Sequence, residues 1–160
     1  VGSEMCIRDR ENYAVVERLA HWQAALNMAS ASPLLGVGAG NFEVVYPSYG
    51  VPSWPLALGH AHNDYLNILA ETGVIGLIAY SAGWVTLVYW TVRASKQQDP
   101  VMHGLVIGLL GTWTHLGVHS VFDKLYVNNL FLHIGVMLGL LAIGVRQHQY
   151  SGVNDEHNDF

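Results

Sequence analysis

The stretch "GVIGLIAYSAGWVTLVYWTV", Gly73 to Val92, carries no charged residue over twenty positions. A helix needs about 20 predominantly apolar residues to cross a bilayer core, so this segment reads as a membrane span. Two further segments meet the same requirement: Val101 to Val118, which carries His103 and His115, and Leu125 to Val145, which carries His133. Glycines recur in all three, at Gly76, Gly83, Gly104, Gly108, Gly111, Gly135 and Gly139. Small residues at such positions predict close helix packing in lipid.

The composition agrees. Hydrophobic residues make up 51% of the 160 and charged residues only 12%, about half the ~25% usual in soluble domains. The net charge of -5 comes partly from the tail "GVNDEHNDF". Seven Lys and Arg residues form no basic stripe, which argues against a nucleic-acid partner. One cysteine, Cys6, permits neither an internal disulfide nor a cysteine metal site. It lies in "VGSEMCIRDR", residues 1–10, which matches no signal peptide and reads as a non-native scar.

Lys and Arg accumulate on the cytoplasmic side of short loops. Arg93 and Lys96 follow the first span and Arg146 the third, whereas Lys124 alone lies between the second and third. This predicts a cytoplasmic tail over 147–160, three transmembrane helices within 73–146, and an extracytoplasmic region over 11–72. The expected fold class is an all-α integral membrane protein, a helical loop region followed by three spans, forming the C-terminal part of a larger polytopic fold.

Within 11–72, Val15, Leu19, Trp22, Leu26 and Met28 or Ala29 recur at helical spacing, and Pro33 predicts a helix end near Ser30. The following "LLGVGAGNFEVVYPSYGVPSWP" reads as irregular structure, with Tyr46, Tyr49 and Trp54 suited to the headgroup level. Its "GVGAGNF" lacks the Lys and Ser/Thr of a phosphate-binding loop and reads as a tight packed turn. A second helix starts at Asn63 or Asp64, either of which is a good N-cap.

Just before the first span, "GHAHNDYLNILAETGVIG", Gly59 to Gly76, concentrates polar side chains. Asn63, Asn67 and Glu71 stand four residues apart and share one helix face. The plain structural interpretation is that they satisfy one another and nearby backbone ends. His60 and His62 form an H-x-H pair, one possible start of a metal site, although no H-E-x-x-H is present. His119 and Asp123, at the outer end of the second span, are placed to reach the same pocket as His62. His103, His115 and His133 read as structural, with a proton path as the alternative. Arg18, one turn before Trp22, could clamp a phosphate with paired hydrogen bonds, although a solvated helix-face arginine is the commoner case.

Taken in order, "RLAHWQAALNM", "PLLGVGAGNF" and "HAHNDYLNILAETGVIGL" resemble the C-terminal part of the O-antigen ligase and polymerase superfamily of bacterial membrane glycosyltransferases. The ligase signature of that family is His, then Asn, Ser or Gln, nine residues, then G-x-x-G. Here His62-Asn63 is followed by nine residues and Gly73-Val74-Ile75-Gly76. The resemblance covers roughly Arg18 to Leu140.

The resemblance implies a metal-independent glycosyltransferase in the bacterial inner membrane, with its catalytic histidine in a periplasmic loop. Its donor would be a polyprenyl-diphosphate-linked glycan and its acceptor a lipid, glycan or protein, with membrane lipids as surroundings. No cofactor is expected. His62 suits the general base and Arg18 the diphosphate, with Asn63, Asn67, Glu71 and His60 as substrate-binding or supporting groups. A second family arginine, further upstream, has no counterpart here, so the chain alone is expected to be inactive. Ligase and polymerase remain alternatives within the superfamily. A polytopic transporter without glycosyl transfer, and a metal-dependent membrane hydrolase, are the alternatives outside it.

Overall fold

The computed structural model describes residues 12–96, 99–126 and 129–158. The segment read as a scar, residues 1–10, lies outside them. Every regular element among the described residues is helical: α1 (Tyr13–Ala31), α2 (Phe42–Tyr49), α3 (Asp64–Ala94), α4 (Pro100–His119) and α5 (Leu130–Asn158). Three of these, α3, α4 and α5 up to Gln147, are long and apolar enough to cross a membrane. The protein is an all-α membrane protein. Little of these three helices is buried within the chain, and Ile75, Ile78, Val85 and Val136 lie open, as side chains facing lipid do.

The chain divides into two compact units. One runs to Ala79 and takes in Ser120–Lys124; the other comprises Tyr80–His119 and the chain from Leu125 onward. The second unit packs around Val106, Leu109, Trp113, Leu116 and Leu141, with Trp84 and Leu87 against them. The Trp84 and Trp113 rings meet edge to face at 6.3 Å, a favoured arrangement for aromatic pairs. His103 joins Ser95 through Nδ1 and the Ser95 carbonyl, 2.7 Å apart, across the α3–α4 turn. A side chain added at Gly83, Gly104, Gly108, Gly111, Gly135 or Gly139 would meet nothing within 4 Å. Among the described residues these glycines therefore make no close helix contact, contrary to what their spacing predicts.

The first unit is built on small residues. Helix α1 buries Ala24, Ala25 and Met28, together with His21, whereas Val15, Leu19 and Leu26 are about half exposed. Its most apolar face therefore looks outward, and the narrow face packs. Small side chains let α2 and the "HAH" loop approach closely, and Phe42, Tyr46, Ala61 and Ala70 complete the core.

Two features depart from the sequence reading. The stretch expected to be irregular contains α2, although Pro47 lies inside it. A proline near the end of an eight-residue helix removes a single ladder bond, and the Glu71 carboxylate supports the other end by accepting from the Phe42 amide at 3.2 Å. Tyr46 and Trp54 are core residues, not interfacial ones: both are buried, and the Tyr46 hydroxyl donates to the Trp54 carbonyl at 3.1 Å.

Helix α3 is two helices joined at Gly73, whose φ of 67° and ψ of −168° break the ladder. Such a break orphans carbonyls on one side and amides on the other. The loop after α1 satisfies both sets. Val37 and Gly38 donate to the carbonyls of Ala70 and Glu71, each at 2.9 Å, while Val74 donates to Pro33 at 2.8 Å and Ile75 to Leu34 at 3.4 Å. Backbone lies directly on backbone here. A Cβ at Gly73 would strike Leu34 and Leu35, and one at Gly36 would strike Glu71 and Thr72.

Candidate active site

The polar cluster is assembled by three elements of the first unit: the "GHAHN" turn, α1 and the Ser120–Lys124 loop. Asn63 caps α3, its Oδ1 accepting from the Leu66 amide at 2.9 Å, the usual bond from an N-cap to the third helical residue. Asn67, one turn later, accepts from the Ala61 amide at 3.1 Å. Both asparagines are buried. They fix the backbone on either side of His62, while Glu71, on the same face, holds the start of α2. The stripe predicted from the four-residue spacing therefore exists, and the bonds it makes run to backbone.

That network predicts a measurable cost. Glu71→Ala should destabilise the chain by about 1–2 kcal/mol, the range for losing a cap or a charge-assisted hydrogen bond. Glu71→Gln, which keeps an acceptor, should recover most of it. Thermal unfolding in detergent measures both, and equal stability of all three chains would exclude the capping role.

His62 sits at φ 51°, in the left-handed region that non-glycine residues rarely enter. Such conformations persist where surrounding structure over-determines them. The determinants are the Asn67 bond to Ala61 and the Trp22 indole, which donates to the His62 carbonyl at 3.4 Å. His21, on α1 beside Trp22, is fully buried. Its Nδ1 lies 2.7 Å from the Glu17 carbonyl, and its Nε2 accepts from the Leu58 amide at 3.2 Å. A carbonyl can only accept, so His21 carries its proton on Nδ1. It locks the chain leading into the histidine turn, and its ring centre lies 5.6 Å from that of His62, edge to face.

The decisive contact joins His62 to Asp123. Their Nδ1 and Oδ1 atoms are 3.4 Å apart. Burial pushes the Asp123 carboxyl upward, but the Lys124 amide, the hydrogen bond from His62 and the nearby charge of His62 and His60 outweigh it and leave Asp123 below its ordinary value. The carboxylate is thus ionised near neutrality and can only accept, which puts the His62 proton on Nδ1. The lone pair then lies on Nε2. That atom is buried and has no hydrogen-bond partner among the described residues.

His60 is the third member. Its ring centre is 4.4 Å from that of His62, and its Nδ1 accepts from the His62 amide at 3.2 Å. Burial, then the charges of His62 and Lys124, lower its pKa to about 4, so it is neutral at pH 7. One donor atom each from His60, His62 and Asp123 falls within 4.8 Å of the others, close enough to consider a cation.

Arg18 lies one turn before Trp22 on α1. Its Nη1 donates to the Ala14 carbonyl at 3.5 Å, and its Nε is buried with no hydrogen-bond partner among the described residues. Charge is therefore available on the helix whose next turn touches the His62 backbone. Of the sequence-derived candidates, His60, His62, Asn63 and Asn67 are brought together around one turn. Arg18 shares α1 with Trp22, which contacts that turn, while Glu71 serves α2.

Residues 7–81 match the O-antigen ligase family. Just under half of the chain is thus similar to O-antigen ligases. The matched segment includes Arg18, His60, His62, Asn67 and Gly73, and Asp123 lies outside it. No curated protein matches the chain. The G-x-x-G at Gly73–Gly76 has a structural explanation: Gly73 is the break that admits the loop after α1. Two residues that matter to the site escaped the sequence reading. His21 was passed over because a lone histidine in an apolar helix carries no signal of its own. Trp22 belongs to an apolar stripe in the sequence, and only its indole geometry reveals the bond to His62.

Proposed function

We propose that this chain supplies the catalytic turn of a larger membrane enzyme that transfers a polyprenyl-diphosphate-linked glycan to a hydroxyl acceptor at the extracytoplasmic face of the bacterial inner membrane. The single observation behind this reading is the His62–Asp123 pair, which leaves Nε2 of His62 with an unshared lone pair. In the proposed reaction His62 Nε2 takes the proton of the acceptor hydroxyl. The acceptor oxygen bonds to the anomeric carbon of the donor, and the bond from that carbon to the diphosphate oxygen breaks. Polyprenyl diphosphate leaves with the bonding electron pair. Asp123 steadies the imidazolium that forms, and the Arg18 guanidinium meets the negative charge that builds on the diphosphate.

His60 is the neutral neighbour of that imidazolium, and its low pKa keeps a second positive charge from building beside it. Asn63 and Asn67 are positioning residues that hold the turn. No step needs a metal. The acceptor is a lipid, a glycan or a protein, and its identity separates a ligase from a polymerase.

Asp123→Asn tests the pairing. Loss of the carboxylate leaves the His62 tautomer unfixed, and transfer in membrane vesicles should fall about 10–100-fold, the effect typical of losing a partner that orients a functional histidine. The fall should appear in kcat, with the donor KM little changed and membrane-inserted protein at its normal level. A variant with normal turnover would remove Asp123 from the mechanism.

A further inference from the structure

We propose that His60, His62 and Asp123 bind one zinc-class divalent cation, and that the bound ion switches off His62 as a base. The first half stands on geometry alone. The second half rests on the reading of His62 as the proton acceptor.

Three donors converge from two separate segments, the "GHAHN" turn and the loop after α4, with one ligand atom from each within 4.8 Å of the others. The set is two imidazoles and a carboxylate, the N/O combination that suits zinc and is poor for magnesium or calcium, which prefer oxygen. The His62 and Asp123 atoms are already 3.4 Å apart. Two ligands bound at ~2.0–2.1 Å to a tetrahedral ion lie about 3.3–3.4 Å apart, so these two atoms already have that spacing, and ligation along this edge requires only that the ring proton move from Nδ1 to Nε2. His60 closes the remaining gap by side-chain rotation, giving up its 3.2 Å contact with the His62 amide. Lys124, beside the site, opposes a cation there.

Occupancy would silence His62 whichever nitrogen it uses. A neutral imidazole has one proton and one lone pair. Ligation through Nε2 occupies the lone pair directly, and ligation through Nδ1 moves the ring proton onto Nε2. In both cases no basic nitrogen is left for the acceptor. Asp123 is drawn to the ion as well, so the partner of the imidazolium is lost at the same time.

The test uses the purified chain in detergent micelles, titrated first with cobalt(II) and then with zinc chloride. One equivalent of cobalt should give the visible absorption of a four-coordinate site, and one equivalent of zinc should abolish it. His60→Ala and Asp123→Asn should each weaken zinc binding at least about tenfold, the order expected for a lost ligand or its support. Lys124→Met should tighten it. His115→Ala is the control, because His115 and His119, with ring centres 5.5 Å apart on α4, are a second place where histidines meet. Binding lost with His115→Ala and kept in His60→Ala overturns the assignment.

Transfer by membrane vesicles should fall on adding zinc and return with a chelator. Transfer that a chelator stops and zinc restores would overturn the switch and the metal-free mechanism together. Absence of any zinc binding, with His62→Ala still inactive, sinks the inference and leaves the mechanism standing. Stoichiometric zinc binding with an active His62→Ala chain would do the reverse for the mechanism, leaving a cation site with no base to block.

Discussion

His62→Ala, introduced at the chromosomal locus, should abolish attachment or elongation of surface glycan while the protein still inserts in the membrane. General-base catalysis contributes about 10²–10⁴-fold to a rate, and a loss of that size in a vesicle assay is the expected result. The conformation of His62 supplies a control that ordinary alanine scanning lacks. At φ 51° a non-glycine residue is strained, and glycine enters the left-handed region freely. His62→Gly should therefore be at least as stable as the parent chain and equally inactive. A stable, inactive glycine variant separates the chemistry of the imidazole from any role in folding. Glycan at the parent level in either variant would falsify the assignment of His62 as base.

Gly73→Ala should produce the largest loss of stability. Its φ of 67° with ψ of −168° belongs to a region populated almost only by glycine. A methyl group there also points onto the backbone of Leu34 and Leu35, which cannot swing aside as a side chain would. The loop would have to lift away, orphaning the four backbone groups of α3 that it now satisfies. Strain of ~1–3 kcal/mol adds to the cost of unpaired buried polar groups at about 1–3 kcal/mol each. We expect a destabilisation of at least about 3 kcal/mol, seen as loss of folded protein from membranes and a lowered Tm in detergent. Gly83→Ala, at a helical position with nothing within 4 Å, should be neutral or mildly stabilising. Similar behaviour of the two variants would rule out the loop-in-helix junction.

The sequence alone revealed a good part of this. The start of α3 was legible to within one residue because Asn63 and Asp64 are both good N-caps, and the bond from the Leu66 amide to the Asn63 side chain decides for Asn63. The end of α1 was legible because Pro33 forbids continuation two residues later. His62 was singled out by resemblance, because His62-Asn63, nine residues and Gly73-Val74-Ile75-Gly76 are similar to the O-antigen ligase signature. Helix α2 was not legible, since Pro47 and the aromatic residues around it point away from a helix. The carboxylate that supports its first amide lies 29 residues further along the chain. The tautomer of His62 was equally hidden, because Asp123 is 61 residues away and its effect depends on a distance.

Local chemistry controls three stretches too apolar for water, a capped helix start, and a histidine turn beside the first span, and these can be read from the chain directly. Each follows from one segment exchanging its own groups with solvent or lipid. Tertiary structure decided which polar group meets which. The Asn63–Asn67–Glu71 face could have pointed at a ligand, and the fold gave its acceptors to the backbone amides of Leu66, Ala61 and Phe42. A buried amide left unpaired costs more than any single side chain gains by waiting for substrate, so these carboxyl and amide oxygens were claimed by the fold. Nε2 of His62 was left unclaimed. The reason is physical: the Asp123 carboxylate accepts the hydrogen bond from Nδ1, and no donor among the described residues reaches Nε2.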